Sequence, residues 1–227
     1  CDETQYDNLC ITEKEYKGYH SDVCFVGSLY TEKGTHETIT KSLPPYLKGY
    51  VDGIINAQLN VYGYNFMEDS LTEEFINNFK KQMNWQLPPD YIDNAKSIIA
   101  DYYFGYRATM LDRINTLREV SEHFNTDLYT TSNTNMLPAI HNKGIADTLT
   151  MLPKIYHCSK INLEITSKTF KSGMTQRLFD IMASGGFVIS NFQAEIPDFF
   201  IPGKDLVLYE SIPDLLEKIY YYLSHED

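Results

Sequence analysis

The sequence predicts an α/β fold, a doubly wound parallel sheet that carries a helical insertion, and three observations lead there. Residues 159–191, SKINLEITSKTFKSGMTQRLFDIMASGGFVISN, read as an apolar strand (Lys160 to Thr166), a loop of small and basic residues (Ser167 to Gly173), a helix (Thr175 to Ser184), a glycine pair and a second strand (Phe187 to Asn191). That is the strand, crossover helix and strand of a parallel sheet. Further apolar runs at Val23 to Ser28, Thr126 to Ser132 and Asp205 to Ser211 alternate with helical patterns, as a doubly wound sheet requires. From Pro45 to Phe124, by contrast, the pattern is helical and too poor in strands to form a second sheet domain.

Taken in order, residues 1–21 are polar and tyrosine-rich without a clear period and read as an entering segment or linker. The domain proper then spans 22–227, with the insertion at about 40–124. VCFVGS is a buried strand ending in Gly27-Ser28, where a backbone or ligand can approach closely. PYLKGYVDGIINAQLNVYGY places Leu47, Tyr50, Val51, Ile54, Ile55 and Leu59 close to one helical face. Helices are expected at Leu71 to Met83, Tyr91 to Phe104 and Arg107 to Phe124; the last has Leu111, Ile114, Leu117, Val120 and Phe124 in register and Asp112 and Arg113 on its polar side. TDLYTTS is rich in β-branched and aromatic residues and reads as a strand. A loop with Pro138, His141 and Gly144 and a short helix from Thr150 to His157 lead into the stretch at 159–191, and Pro213 to Ser224 is a closing amphipathic helix, Pro213 suiting its first turn.

The formal net charge of -12 and a pI near 4.9 argue against nucleic acid or an anionic membrane surface as the main partner. With 43% hydrophobic residues the chain can pack a core, and it has no apolar run of membrane-spanning length and no signal peptide. Cys1, Cys10, Cys24 and Cys158 form no CxxC pair, and Cys24 and Cys158 lie in apolar runs, so a reducing cytoplasmic compartment without a structural metal is expected. His141 and His157 have no partner at metal-ligand spacing. A first residue of Cys rather than Met is expected of a fragment or a processed product.

Against this acidic background the stretch between Glu164 and Asp180 holds Lys168, Lys171 and Arg177 and no acid. The reversal of sign falls where a helix begins, and amide groups at a helix start favour an anion. A phosphorylated ligand is therefore expected over Ser172, Gly173, Met174 and Thr175, in a crevice where the ends of three strands converge: Gly27-Ser28, Thr166 with its loop, and Asn191 with the loop to Glu195. Asp180, one to two turns further on, can accept from the vicinal hydroxyls of a ribose. Bland readings stand beside these. Arg177 and Asp180 can pair on one helix face, Lys168 and Lys171 can be solvated loop lysines, Gly185-Gly186 suits a helix C-cap, and the aromatic residues at 102–106 suit core packing as well as sugar stacking. A dinucleotide oxidoreductase fits poorly, since no GxGxxG follows a strand.

SKINLEIT, RLFDIMASGGFVISN and PGKDLVLYES, in that order, resemble the carboxyl-terminal domain of GT-B glycosyltransferases, specifically the bacterial spore-maturation CgeB-like family. The resemblance runs from about Thr126 to Asp227, and VCFVGSLY and GYVDGIINAQ are similar to the region before that domain. It implies a Rossmann-like domain of a retaining, hexosyltransferase-like enzyme that uses a UDP- or GDP-sugar and no other cofactor, acting on a glycan or surface acceptor. By the same resemblance Asp180 takes the place of a ribose-binding glutamate, Gly185 that of the glycine after the helix, and Glu195 and Pro202-Gly203 those of a glutamate and a glycine turn. Ser172 stands where a sugar-reading glutamate is usual, and Gly27-Ser28 with Lys33-Gly34 keeps the family's lysine but not its arginine. The diphosphate clamp then falls to Lys33, Lys168, Lys171 or Arg177, stabilising the departing diphosphate electrostatically, and no catalytic residue is singled out. Such enzymes place their cleft between two Rossmann-like domains, so an amino-terminal acceptor domain is expected to be missing and the chain alone to transfer little sugar. The alternative is a non-catalytic structural or binding protein, of a spore coat or surface assembly, that retains the fold.

Overall fold

The computed structural model describes residues 9–32, 41, 43–83 and 94–225. Strands β1 (Val23–Val26), β2 (Thr126–Tyr129), β3 (His141–Asn142), β4 (Ile161–Glu164), β5 (Val188–Asn191) and β6 (Val207–Tyr209) form a six-stranded sheet in the order 3-2-1-4-5-6. Every pairing is parallel, so the sheet is the Rossmann-like, doubly wound one that the sequence predicts. Its helices are α1 (Glu13–Tyr19), α2 (Pro45–Leu59), α3 (Glu73–Gln82), α4 (Ala95–Ile98), α5 (Tyr106–His123), α6 (Leu152–Cys158), α7 (Gln176–Ala183), α8 (Ile196–Phe199) and α9 (Ile212–Ser224).

Strand alternation decides what each helix covers. Val23, Phe25, Ile161 and Leu163 point to one face, where they meet Ile114, Leu117 and Val120 of α5 and Leu215 and Ile219 of α9. Cys24 points to the other face and packs on Ile155 of α6, while Val188 meets Leu178 and Ile181 of α7. Each such aliphatic side chain contributes up to about 1.5–3 kcal/mol by leaving water. Cys10, Cys24 and Cys158 are all free thiols, and burial pushes that of Cys24 up to about 12.

The insertion forms a helical layer of its own. Leu47, Val51 and Ile55 of α2 pack with Phe75 and Phe79 of α3 and with Ile99 and Phe104 of a π-helical segment, Ile99–Gly105, that joins α4 to α5. Ala108 at the start of α5 belongs to this layer, whereas Ile114, Leu117 and Val120 belong to the sheet. One helix therefore couples the two cores. Gly105 lets the β4–α7 loop press close, since a Cβ there would lie 2.6 Å from Thr169 Cγ2. Of the aromatics at 102–106, Phe104 is core and Tyr103 packs against Phe79, but Tyr102 is exposed.

Three elements go beyond the sequence reading. Helix α1 arises inside the supposed linker from a capping box, Thr12 receiving Glu15 N while the Glu15 carboxylate receives Thr12 N at 2.8 Å. Strand β3 and helix α8 have only two and four residues, too few to carry a period. The start of the helix expected from Tyr91 lies outside the described residues. No described helix is long and apolar enough to cross a membrane.

Helix α7 ends in a Schellman motif: Gly186 N donates to Ile181 O and Gly185 N to Met182 O, both at 3.0 Å, with Gly185 at φ +70°. The glycine pair is thus the C-cap anticipated from sequence, and Gly186 has a further duty, because a Cβ there would fall 2.7 Å from the Tyr156 carbonyl. Gly186→Ala is expected to destabilise the protein by about 1–3 kcal/mol in urea titrations. Glu15, hydrogen-bonded to Lys154 of α6 and to Thr12, is held down to about 2. A folded-state value below the unfolded one stabilises above the unfolded value and is lost as pH falls through the folded one. Melting temperature should therefore fall between about pH 4.5 and 2, and Glu15→Gln should flatten that part of the profile.

Candidate functional site

The strand order reverses between β1 and β4, so their carboxyl ends part there and open a crevice. Two arginines reach it from opposite layers. Arg113 comes from α5, and its guanidinium donates to Ser28 O at 2.6 Å and twice to Ile165 O, at 2.8 and 3.2 Å. Arg177 comes from the first turn of α7 and pairs with Glu164 at 3.2 Å. Alternation turns the Glu164 side chain to the α7 face, where its other oxygen accepts from Thr175 Oγ at 3.0 Å. Thr175 is the N-cap of α7, its oxygen receiving Leu178 N at 3.4 Å.

Gly27 makes the convergence possible. A Cβ there would lie 3.1 Å from Arg177 Nη2 and 3.3 Å from Phe25 Cζ; without it the Arg177 guanidinium passes over the strand end to lie 5.6 Å from the Phe25 ring centre. Arg113 lies 5.3 Å from the same ring and 5.1 Å from that of Tyr30. Tyr30, at φ 64°, is the only non-glycine residue with positive φ among those described. Such strain persists only where its surroundings hold it. Here Tyr30 N donates to Ser28 Oγ at 2.8 Å, and the turn is tied to the β2 end through Leu29 N to Ser132 Oγ at 2.8 Å.

Arg113 is 4% exposed and is bound by carbonyls rather than by a carboxylate. Burial, and then the charge of Arg177, lowers it to about 10, so it remains a cation at neutral pH. Arg177 is pulled down by burial, but Glu164 outweighs this and the net direction is upward. Two guanidinium groups thus lie near Glu164, with Asp112 also acting on Arg113 and Glu32 bonded to Ser28 and Ser132 at the strand ends, beside the amino end of an eight-residue helix. The arrangement suits an anion with several oxygens.

Of the residues singled out in sequence, Gly27, Ser28, Thr175 and Arg177 come together here. Asp180 lies one turn along α7 from Arg177, half-buried; burial and Asp180 push the Tyr156 phenol up while Arg177 opposes them, so all three share one neighbourhood. Ser172 and Glu195 meet each other, Ser172 Oγ donating to Glu195 Oε1 at 2.6 Å, with Gly173 alongside and Met174 packed toward Leu178 and Ile196. The two lysines are engaged elsewhere. Lys168 is buried 3.7 Å from Asp112 and over the Tyr62 ring at 4.1 Å, and Lys171 pairs with Glu68 at 2.7 Å. Lys33 lies outside the described residues.

Sequence reading placed Asp112 and Arg113 on the polar side of their helix, and the structure shows that this side is buried: each is 4% exposed. Thr109, Asp112, Arg113 and Thr116 form a buried polar stripe on α5. Their spacing of three to four was the available signal. Glu164 was missed for another reason, having marked the edge of a basic stretch rather than the partner of its arginine. Among the described residues no group of three or more His, Cys, Asp or Glu could hold a metal ion.

A family model described as glycosyl transferase-like matches residues 109–227, more than half of the chain. The match takes in Arg113, Glu164 and Arg177 and every element from β2 onward; β1 and the helical layer lie before it. No curated protein matches the chain.

Arg113→Met leaves the buried Ile165 carbonyl and the half-buried Ser28 carbonyl without their donor. A buried orphaned acceptor costs about 1–3 kcal/mol, so the variant should lose about 1–3 kcal/mol in urea unfolding.

Proposed function

The chain belongs to the glycosyl transferase-like family, and on that premise we propose that its crevice binds the nucleoside diphosphate of a sugar donor, a UDP- or GDP-sugar. The observation that carries this reading is the pair of arginines from opposite layers that flank the Phe25 ring at the end of β1, Arg177 over Gly27 and paired with Glu164. A diphosphate placed there receives the α7 amino end and the Arg177 guanidinium, with Arg113 adding charge from beneath and holding the strand ends apart. As the bond to the sugar breaks, negative charge grows on the leaving phosphate, and groups fixed before the reaction stabilise it without reorganising. Asp180, a turn deeper, accepts from the ribose hydroxyls.

In this reading the sheet is the donor half of a GT-B cleft, and the acceptor, a glycan or surface polymer, is presented from the opposite side. The Ser172–Glu195 pair lies beside the α7 start, where the transferred sugar would sit. Its carboxylate supplies the acceptor for sugar hydroxyls that position 172 itself lacks. Retention of configuration and kinship with CgeB-like enzymes of bacterial cytoplasm extend the reading, and the resemblance of the 159–191 and 202–211 segments supports them.

Calorimetry tests the proposal with UDP, GDP and inorganic pyrophosphate. Arg177→Gln should weaken all three by about tenfold or more, the loss of one charge-assisted hydrogen bond. Glu164→Gln removes the competing carboxylate and should tighten them. Asp180→Ala should weaken UDP and GDP and leave pyrophosphate unchanged. Binding of neither nucleotide by the wild-type chain, or binding indifferent to Arg177, would sink the donor reading.

A further inference from the structure

A cavity lies away from the crevice. It has a volume of about 430 Å³ and opens beyond the carboxyl end of β6, between the end of α2, the middle of α5 and the start of α9. Its polar lining comes from Asn56, Asn60, Asp112, Asn115 and Glu210, with Tyr62 beside them and apolar wall from Leu59, Ile212 and Pro213. That size fits a small-molecule ligand.

Asp112 points to what such a ligand offers. Its side chain is 5% exposed, and its Oδ2 has no hydrogen-bond partner, Lys168 Nζ at 3.7 Å being too distant. Two more buried oxygens without partners lie close by. Thr116 Oγ is one turn along α5, and Tyr209 OH belongs to a ring set edge-on to Tyr62 at 5.8 Å. Four such atoms occur among the described residues, and of these Asp112 Oδ2 belongs to a residue that lines the cavity. An unmet buried acceptor costs about 1–3 kcal/mol, and a ligand O–H or N–H removes that cost.

The lining selects between classes of donor. It carries two carboxylates and no cation, which disfavours an anion. The amino end of α9 does not reverse this, because Ser211 Oγ receives Asp214 N at 3.2 Å and the Asp214 carboxylate already sits in the first turn. A cationic ligand is disfavoured at the wall, where the Asp112 charge is met by Lys168. Three asparagines, each presenting both a donor and an acceptor, match hydroxyl groups, which do the same. The apolar wall suits the C–H face of a sugar ring.

We propose that this cavity is a second binding site, separate from the crevice, for a neutral polyhydroxylated ligand of the saccharide class, whose hydroxyl groups donate to Asp112 and exchange hydrogen bonds with Asn60 and Asn115. Tyr62 and Asp112 line this cavity, and both meet Lys168 of the β4–α7 loop. The site does not depend on the donor reading.

Amide NMR of the full chain decides it, using methyl glycosides of glucose, galactose, mannose and N-acetylglucosamine, with spermidine and inorganic phosphate as the cationic and anionic probes. At least one glycoside should saturably shift the signals of Asn56, Asn60, Asn115 and Glu210. The double variant Asn60→Ala/Asn115→Ala, altered at an exposed and a half-buried position, should weaken that binding by about tenfold or more and leave UDP affinity as in the wild type. Shifts from spermidine or phosphate alone, shifts from no probe, or glycoside shifts indifferent to the double variant would each overturn the proposal. Glycoside binding in a chain that binds no nucleotide would support this site while removing the donor reading.

Discussion

The structure turns on one guanidinium. Arg113 donates to the carbonyls of Ser28 and Ile165, which lie just past the ends of the two strands where the sheet order reverses. Elsewhere in a parallel sheet the next strand or its helix satisfies such groups; at the reversal the chains leave in opposite directions and nothing in the backbone can. An arginine from the covering helix answers both carbonyls at once, and its planar fork can do so where a lysine's single nitrogen cannot. The crevice is therefore held open by the same bonds that make its edges stable.

A buried cation with carbonyl partners carries charge into the site. Arg113 sits 4% exposed, and two hydrogen-bonded carbonyls offset only part of the cost of removing a guanidinium from water. The remainder shows as a lowered proton affinity and as repulsion from Arg177. Glu164, and after it Asp112, relieve that repulsion. An anion in the crevice, as the donor reading has it, would draw on the same two guanidinium groups, so structural need and the proposed ligand would share one source. The lysines of the same stretch contribute little to this field, since each has its own carboxylate.

The sheet was legible because its strands are short apolar runs whose ends are marked by small residues. VCFVGS, KINLEIT and GFVISN each announced a strand, and the glycine pair announced the end of α7. What escaped was pairing. Nothing local says that Lys171 meets Glu68 or that Lys168 meets Asp112, because tertiary packing brings together residues 103 and 56 positions apart. The basic stretch therefore read as a patch when it is a set of ion pairs to other elements. Helix α5 was misjudged because its apolar stripe was taken to define its only buried side. A helix wedged between a sheet and a second layer buries most of its circumference, and the polar stripe Thr109, Asp112, Arg113 and Thr116 is the part that faces the strand ends. Helix α1 was lost for want of periodicity, although Thr12 and Glu15 already spelled a capping box.

That wedge also explains why the β4–α7 loop lies where it does. Thr109 Oγ receives Lys168 N at 2.9 Å, Asn65 donates to Lys168 O at 2.8 Å, and Gly105 admits Thr169. The loop that begins at the crevice is thus bonded along its first residues to the helical layer. Lys168 then carries its charge away from the crevice to Asp112. Moving Lys168 would uncover a buried carboxylate, a change worth several kcal/mol, so this end of the loop is fixed. Freedom is left to the far end, where Ser172 and Glu195 meet through one side-chain hydrogen bond and one backbone bond. A cleft that admits and releases a ligand, as the proposed donor site would, needs at least one edge that holds, and the bonds at the start of this loop supply it.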